Sequence, residues 1–151
     1  MVMKKFVFSL NALYEVKKAQ KDRLQTELAA AEAIYRAAVE RKADLERTLE
    51  ERKAEFEAKA SEGMTVGDLK GYAVYFEEMQ ERIKAAGREV DRALREANQR
   101  RNELVSVFKE IKVLDKLYEK QYGEYLKDME KDETKAVEDI VSYKVTDNQS
   151  G

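Results

Sequence analysis

Cysteine, histidine, tryptophan and proline do not occur anywhere in this chain of 151 residues, and each absence removes a class of structure or chemistry. Without cysteine there is no disulfide framework and no thiolate metal site, which fits a reducing cytoplasm. Without histidine or cysteine the usual nucleophile–base pairs cannot be built, and the Glu-x-x-His motif of di-iron bundles is excluded as well. Without proline nothing breaks a long helix from within. The six glycines are scattered, and none opens a helix after a strand in the way a phosphate-binding loop does. No stretch approaches the roughly 18 apolar residues needed to cross a bilayer. The opening Lys4-Lys5 followed by Phe6-Val7-Phe8-Ser9-Leu10 superficially resembles a signal peptide. Its apolar run is too short, is broken at Ser9 and Asn11, and has no small-residue cleavage site after it.

What is present is charge: 40% of the residues are charged, with 29 Lys and Arg against 31 Asp and Glu, for a net charge of -2. That near-balance gives no overall pull toward nucleic acid or an anionic membrane. Ala, Glu, Lys, Leu and Arg dominate, the usage of coiled coils and long helices. Carboxylates on paired helices face water, where nothing raises a pKa. No enzymatic activity, cofactor, metal or small-molecule substrate is therefore expected.

The second half carries the clearest periodicity. Leu69, Phe76, Ile83, Val90, Ala97, Leu104, Ile111, Tyr118 and Tyr125 recur every seven residues, and Tyr72, Met79, Ala86, Ala93, Val107 and Leu114 follow three residues after most of them. These are the a and d positions of a sustained heptad repeat, which implies a left-handed supercoil. The first half repeats the pattern more weakly, with Tyr14, Leu28, Tyr35, Leu49 and Phe56 as a and Leu10, Leu24, Ala31, Ala38 and Leu45 as d. Lys17, Lys21, Lys42, Arg52 and Lys59 fall in the same seam. Their stems can lie along apolar surface while their heads stay wet.

Between the halves lies a turn over residues 61–65. Gly63 suits the left-handed residue that closes a helix. Thr65 is placed to cap the next helix with Asp68 three residues on, and Met64 and Leu69 occupy the flanking staple positions. A connection this short joins antiparallel neighbours. The expected fold is all-α: one antiparallel two-helix coiled-coil hairpin over residues 1–145. Helix one spans about 9–60 from a Ser9 cap, helix two about 66–144, and 146–151 form a disordered tail.

At 1.5 Å per residue the helices should run roughly 80 and 120 Å. Folded about Met64, Leu10 lies near Tyr118, so the end of helix two overhangs with an apolar stripe of Leu126, Met129, Ala136, Val137, Ile140 and Val141. An uncovered amphipathic face is a candidate docking surface; the competing reading has residues 1–8 extending helix one over part of it. Residues 127–139 carry six acids and three bases. A basic run on helix two (Arg82, Lys84, Arg88, Arg92, Arg95, Arg100, Arg101) is interrupted by acids and lacks interleaved aromatics. Pairing with acids of helix one accounts for it better than nucleic acid does. Val74 and Tyr75 fall outside the seam and should project outward as contact residues.

The ends of the chain resemble the flagellar FliJ family, the coiled-coil component of the flagellar protein-export apparatus. The N-terminal match is Lys5-Phe6-Val7-Phe8-Ser9-Leu10-Asn11-Ala12-Leu13-Tyr14-Glu15-Val16-Lys17, and the C-terminal match is Glu133-Thr134-Lys135-Ala136-Val137-Glu138-Asp139-Ile140. The aromatic stretch from Tyr72 to Ile83 after the turn is similar too. The resemblance implies a two-helix stalk that docks into the hexameric ring of an export ATPase, contacts the membrane export gate and helps cycle substrate-specific export chaperones. It would sit in the cytoplasm, peripheral to the inner-membrane apparatus. Carried over by position, the ATPase-facing end comprises Phe6, Phe8, Leu10, Leu13, Lys135, Glu138, Asp139 and Ile140. The gate-facing patch falls on Tyr75, Met79, Arg82 and Ala86, with Arg82 standing where that pattern has a small residue. Two alternatives are an equivalent stalk of a virulence secretion system and a plain self-associating coiled coil.

Overall fold

The computed structural model describes residues 4–149 and contains two helices, α1 (Asn11–Glu62) and α2 (Val66–Gln149), packed against each other as a hairpin. α1 contains no glycine or proline, so nothing in it opposes helix. α2 accommodates Gly67, Gly71, Gly87 and Gly123, each costing about 1 kcal/mol relative to alanine. The chain divides into two compact units: Asp22–Val105, and the residues up to Lys21 with those from Ser106 onward.

In the unit Asp22–Val105 the turn is built from local hydrogen bonds. Gly63 has φ 104°, the left-handed conformation in which a Cβ is disfavoured. Its amide donates to the Ala60 carbonyl at 3.3 Å. The Asp68 amide donates to Thr65 Oγ1 at 3.1 Å, and the Leu69 amide to the Thr65 carbonyl at 3.1 Å. Thr65 thus caps α2 as its position implied.

The core of this unit is one narrow seam. Leu24, Ala31 and Leu49 of α1 are buried with Met79, Ala86, Ala93, Ala97 and Leu104 of α2, and every one is an a or d position of the heptads. Next to the turn Phe56 sits edge-on to Tyr72 and Phe76, at 5.2 and 5.7 Å between ring centres. No charged or polar side chain is buried among the described residues. The basic seam residues keep their heads outside. Lys42 reaches Glu46 at 3.7 Å with its Cε beside Gly87, and Lys59 reaches Glu55 at 3.1 Å. Across the helices Arg100 pairs with Glu27 at 3.2 Å and Arg101 with Glu32 at 3.1 Å. Lys84 and Arg92 turn instead to Glu81 and Glu89 on their own helix, so the expected interhelical pairing holds for part of the basic run.

The other unit departs from expectation at its N-terminus. Residues 4–8 form no helix and no other regular structure, and Ser9 does not cap α1. Its hydroxyl and amide face Gln121, with contacts at 2.8 to 3.3 Å. Leu10 takes over as the first half-turn, its carbonyl accepting from the Tyr14 amide at 2.9 Å. This non-helical segment covers the tyrosines of α2. Phe6 meets Tyr118, Tyr122 and Tyr125 at 5.3, 5.2 and 5.4 Å, and Phe8 meets Tyr118 at 5.4 Å. The Tyr125 hydroxyl donates to the Lys4 carbonyl. Phe8 is buried with Val107 and Leu114, and Lys17 bonds Glu110 at 2.6 Å. α2 continues as helix to Gln149, into the segment expected to be a disordered tail from 146; Ser150 and Gly151 lie outside the described residues. Nothing between Tyr125 and Gln149 is glycine or proline, so the sequence offers no stop signal there.

Three substitutions test this arrangement. Leu24 is 2% exposed and Ile34 63%, so Leu24→Ala should cost about 2–3 kcal/mol and Ile34→Ala under about 0.5 kcal/mol in denaturant unfolding. Gly63→Ala should cost about 1–2 kcal/mol by backbone strain alone, because no atom lies within 4 Å of the added methyl. Phe8→Ala should speed hydrogen exchange at the Asn11 amide, which is bonded to the Phe8 carbonyl, and leave the Asp68 amide at the turn unchanged.

Candidate partner-docking surfaces

The residues expected at an ATPase-facing end separate into two groups. Phe6 and Phe8 are spent on the tyrosine clasp and Leu10 is half-buried, leaving Leu13 exposed on α1. Lys135, Glu138, Asp139 and Ile140 are exposed on α2. Ile140 lies fifteen residues beyond Tyr125, about 22 Å of helix rise from the clasp. The two groups therefore do not converge on one site. What joins them is the apolar line of α2, which starts under Phe6 and continues bare through Leu126, Val137, Ile140, Val141 and Tyr143.

The gate-facing residues are not one exposed patch either. Met79 and Ala86 are 4% and 5% exposed, in the core. Both are d positions of the heptad repeat, and that packing role claims them. Arg82 is exposed and Tyr75 half-buried. Val74 projects outward as expected, whereas Tyr75 leans on Phe76 at 5.9 Å and bonds Arg52. Of the four, Arg82 and part of Tyr75 are accessible at the surface.

Around Tyr75 lies a cleft of about 410 Å³ lined by Arg52, Gly67, Asp68, Gly71, Tyr72 and Tyr75. Charges beside it are tied together. Glu55 and then Tyr75 bond Arg52 and hold its guanidinium above its ordinary pKa. Arg52 and then Lys59 hold the Glu55 carboxyl below its usual range, and Tyr72 ahead of Glu55 raises Lys59. At the other unit, a hydrogen bond to Asp115 raises the Tyr14 phenol. All four groups are at the surface, so these contacts position side chains and contribute little to stability.

Sequence reasoning missed the clasp, although its signal was present. Phe6 and Phe8 are two apart, which would place them on opposite sides of a helix, yet both meet Tyr118. Among the described residues no helix is long and apolar enough to cross a membrane. Searches of curated proteins and of solved structures return no match. Comparison with protein families matches residues 6–150 to the one described as Flagellar FliJ protein. With nearly the whole chain matched, together with the long hairpin and its uneven helices, the chain belongs to the flagellar FliJ family.

Proposed function

We propose that the chain is a non-enzymatic adaptor of flagellar protein export that engages the export ATPase ring through the end of α2 beyond the clasp. FliJ membership makes it a component of the flagellar export apparatus. The observation that carries the finer reading is the inequality of the helices, 52 residues against 84. It leaves a regular, apolar-faced helix end with nothing of α1 beside it. An adaptor that enters a ring needs a stiff element free of its own partner, and residues 126–149 supply one.

In this reading Leu13 and the face of Lys135, Glu138, Asp139 and Ile140 touch the ATPase, while Phe6 and Phe8 hold the base of the projecting helix. Tyr75 and Arg82 meet the membrane export gate. Substrate-specific chaperones are handed on while the chain is held there, in the cytoplasm against the inner-membrane apparatus. The family match favours a flagellar system over a virulence-related one.

The test adds the purified chain to its cognate export ATPase. Full-length protein should increase the hexamer fraction and ATP turnover. A chain ending at Leu126 keeps the clasp, and should retain its helicity and lose most of the stimulation. Equal stimulation by both would overturn the assignment of the α2 end. Separately, Arg82→Glu should weaken binding to the cytoplasmic part of the gate protein in a pull-down and leave ATPase stimulation unchanged.

A further inference from the structure

The bare stretch of α2 is a coiled-coil seam rather than scattered apolar residues. In the packed part, the steps Leu104, Val107, Ile111, Leu114 and Tyr118 alternate three and four. Past Tyr118 come two steps of four, to Tyr122 and Leu126. The alternation then resumes through Met129, Glu133, Ala136, Ile140 and Tyr143. With the step from Leu114 to Tyr118 that makes three successive steps of four, two more stutter steps than the alternation allows, which moves the heptad register on by one residue and locally unwinds the supercoil without ending it. Phe6 covers this line only as far as Tyr125. Beyond, Ile140 is 57% and Tyr143 74% exposed. Six further core positions of coiled-coil spacing, Leu126 to Tyr143, thus lack a facing helix among the described residues.

Charge decides what kind of helix fits. In the shifted register Asp132 and Asp139, seven residues apart and both exposed, stand on one flank of the seam, and Glu133 stands within it. An antiparallel pair of two copies would set Asp132 of one against Asp139 of the other. A parallel pair would bring two Glu133 side chains into one layer. The first arrangement sets like charges together along the seam's edge, and the second sets them within the seam itself. A helix carrying Lys or Arg opposite Glu133 and along that flank meets neither penalty.

We propose that residues 126–143 of α2 form one strand of an intermolecular coiled coil, completed by a helix of another protein with basic flanking positions. The proposal deepens the adaptor reading of the α2 end and rests on it for the identity of the assembly, but the surface chemistry can be measured without the ATPase.

The probe is a labelled synthetic helical peptide of about four heptads with Ile and Leu in its core and Lys at the flanks, compared with one carrying Glu there. Binding to the full-length chain is read by fluorescence anisotropy. The Lys peptide should bind at least about tenfold tighter than the Glu peptide, with the difference shrinking in high salt. Asp132→Lys with Asp139→Lys should reverse the preference, and Ile140→Asp, at an exposed position that leaves the fold intact, should abolish binding. Failure of both peptides to bind, or equal binding of the two, would overturn the proposal. A stable dimer in sedimentation that Ile140→Asp dissolves would also overturn it, in favour of self-pairing. ATPase stimulation is scored on the same protein: stimulation without peptide discrimination sinks the seam alone, and discrimination without stimulation sinks the adaptor reading alone.

Discussion

Two helices can bury only the stripe along which they touch. That constraint governs everything else in this chain. With no third element among the described residues to complete a core, each helix stays regular only where its apolar stripe meets a partner or where the helix is stable enough to stand bare. The buried residues are accordingly few and small, with four alanines among them (Ala31, Ala86, Ala93, Ala97), and charge is kept at the seam's edges. The unequal helix lengths then leave apolar spacing on α2 for which α1 has no counterpart.

The N-terminal clasp deals with part of that surplus. A chain outside a helix can cover more length per residue than one within it, up to roughly 3.3 Å against 1.5 Å, and Phe6 reaches Tyr125 from a helix that begins only at Asn11. Ser9 is drawn from capping to bonding Gln121 because the clasp fixes the chain's direction there. The clasp and the docking face are consecutive stretches of the same apolar line, one satisfied within the chain and the other presented outward.

Most of the fold was legible because heptad spacing maps directly onto contact. Every buried residue of the Asp22–Val105 unit was an a or d position, and Gly63 and Thr65 marked the turn by their backbone and capping chemistry. Legibility failed where a residue answers to two demands. Met79 and Ala86 fit both the seam and a family-like surface patch, and packing took them. Tyr75 lies off the seam, yet a tyrosine is long enough to lean back on Phe76 and bond Arg52. The register shift at Tyr122 was hidden because Tyr125 still fits the old repeat; the first heptad's continuation through Asp128 and Asp132 made the seam look finished.

The central claim is that α2 beyond Leu126 is a bare helix in the free protein and becomes covered in the assembly. Amide hydrogen exchange along α2, measured on the free chain and on its complex with the cognate ATPase, tests it most directly. The account expects slow exchange through the packed heptads in both states. It expects fast exchange over residues 126–143 in the free chain and strong protection there in the complex. Equal exchange over 126–143 in the two states, with new protection confined to the region around Tyr75 and Arg82, would contradict it.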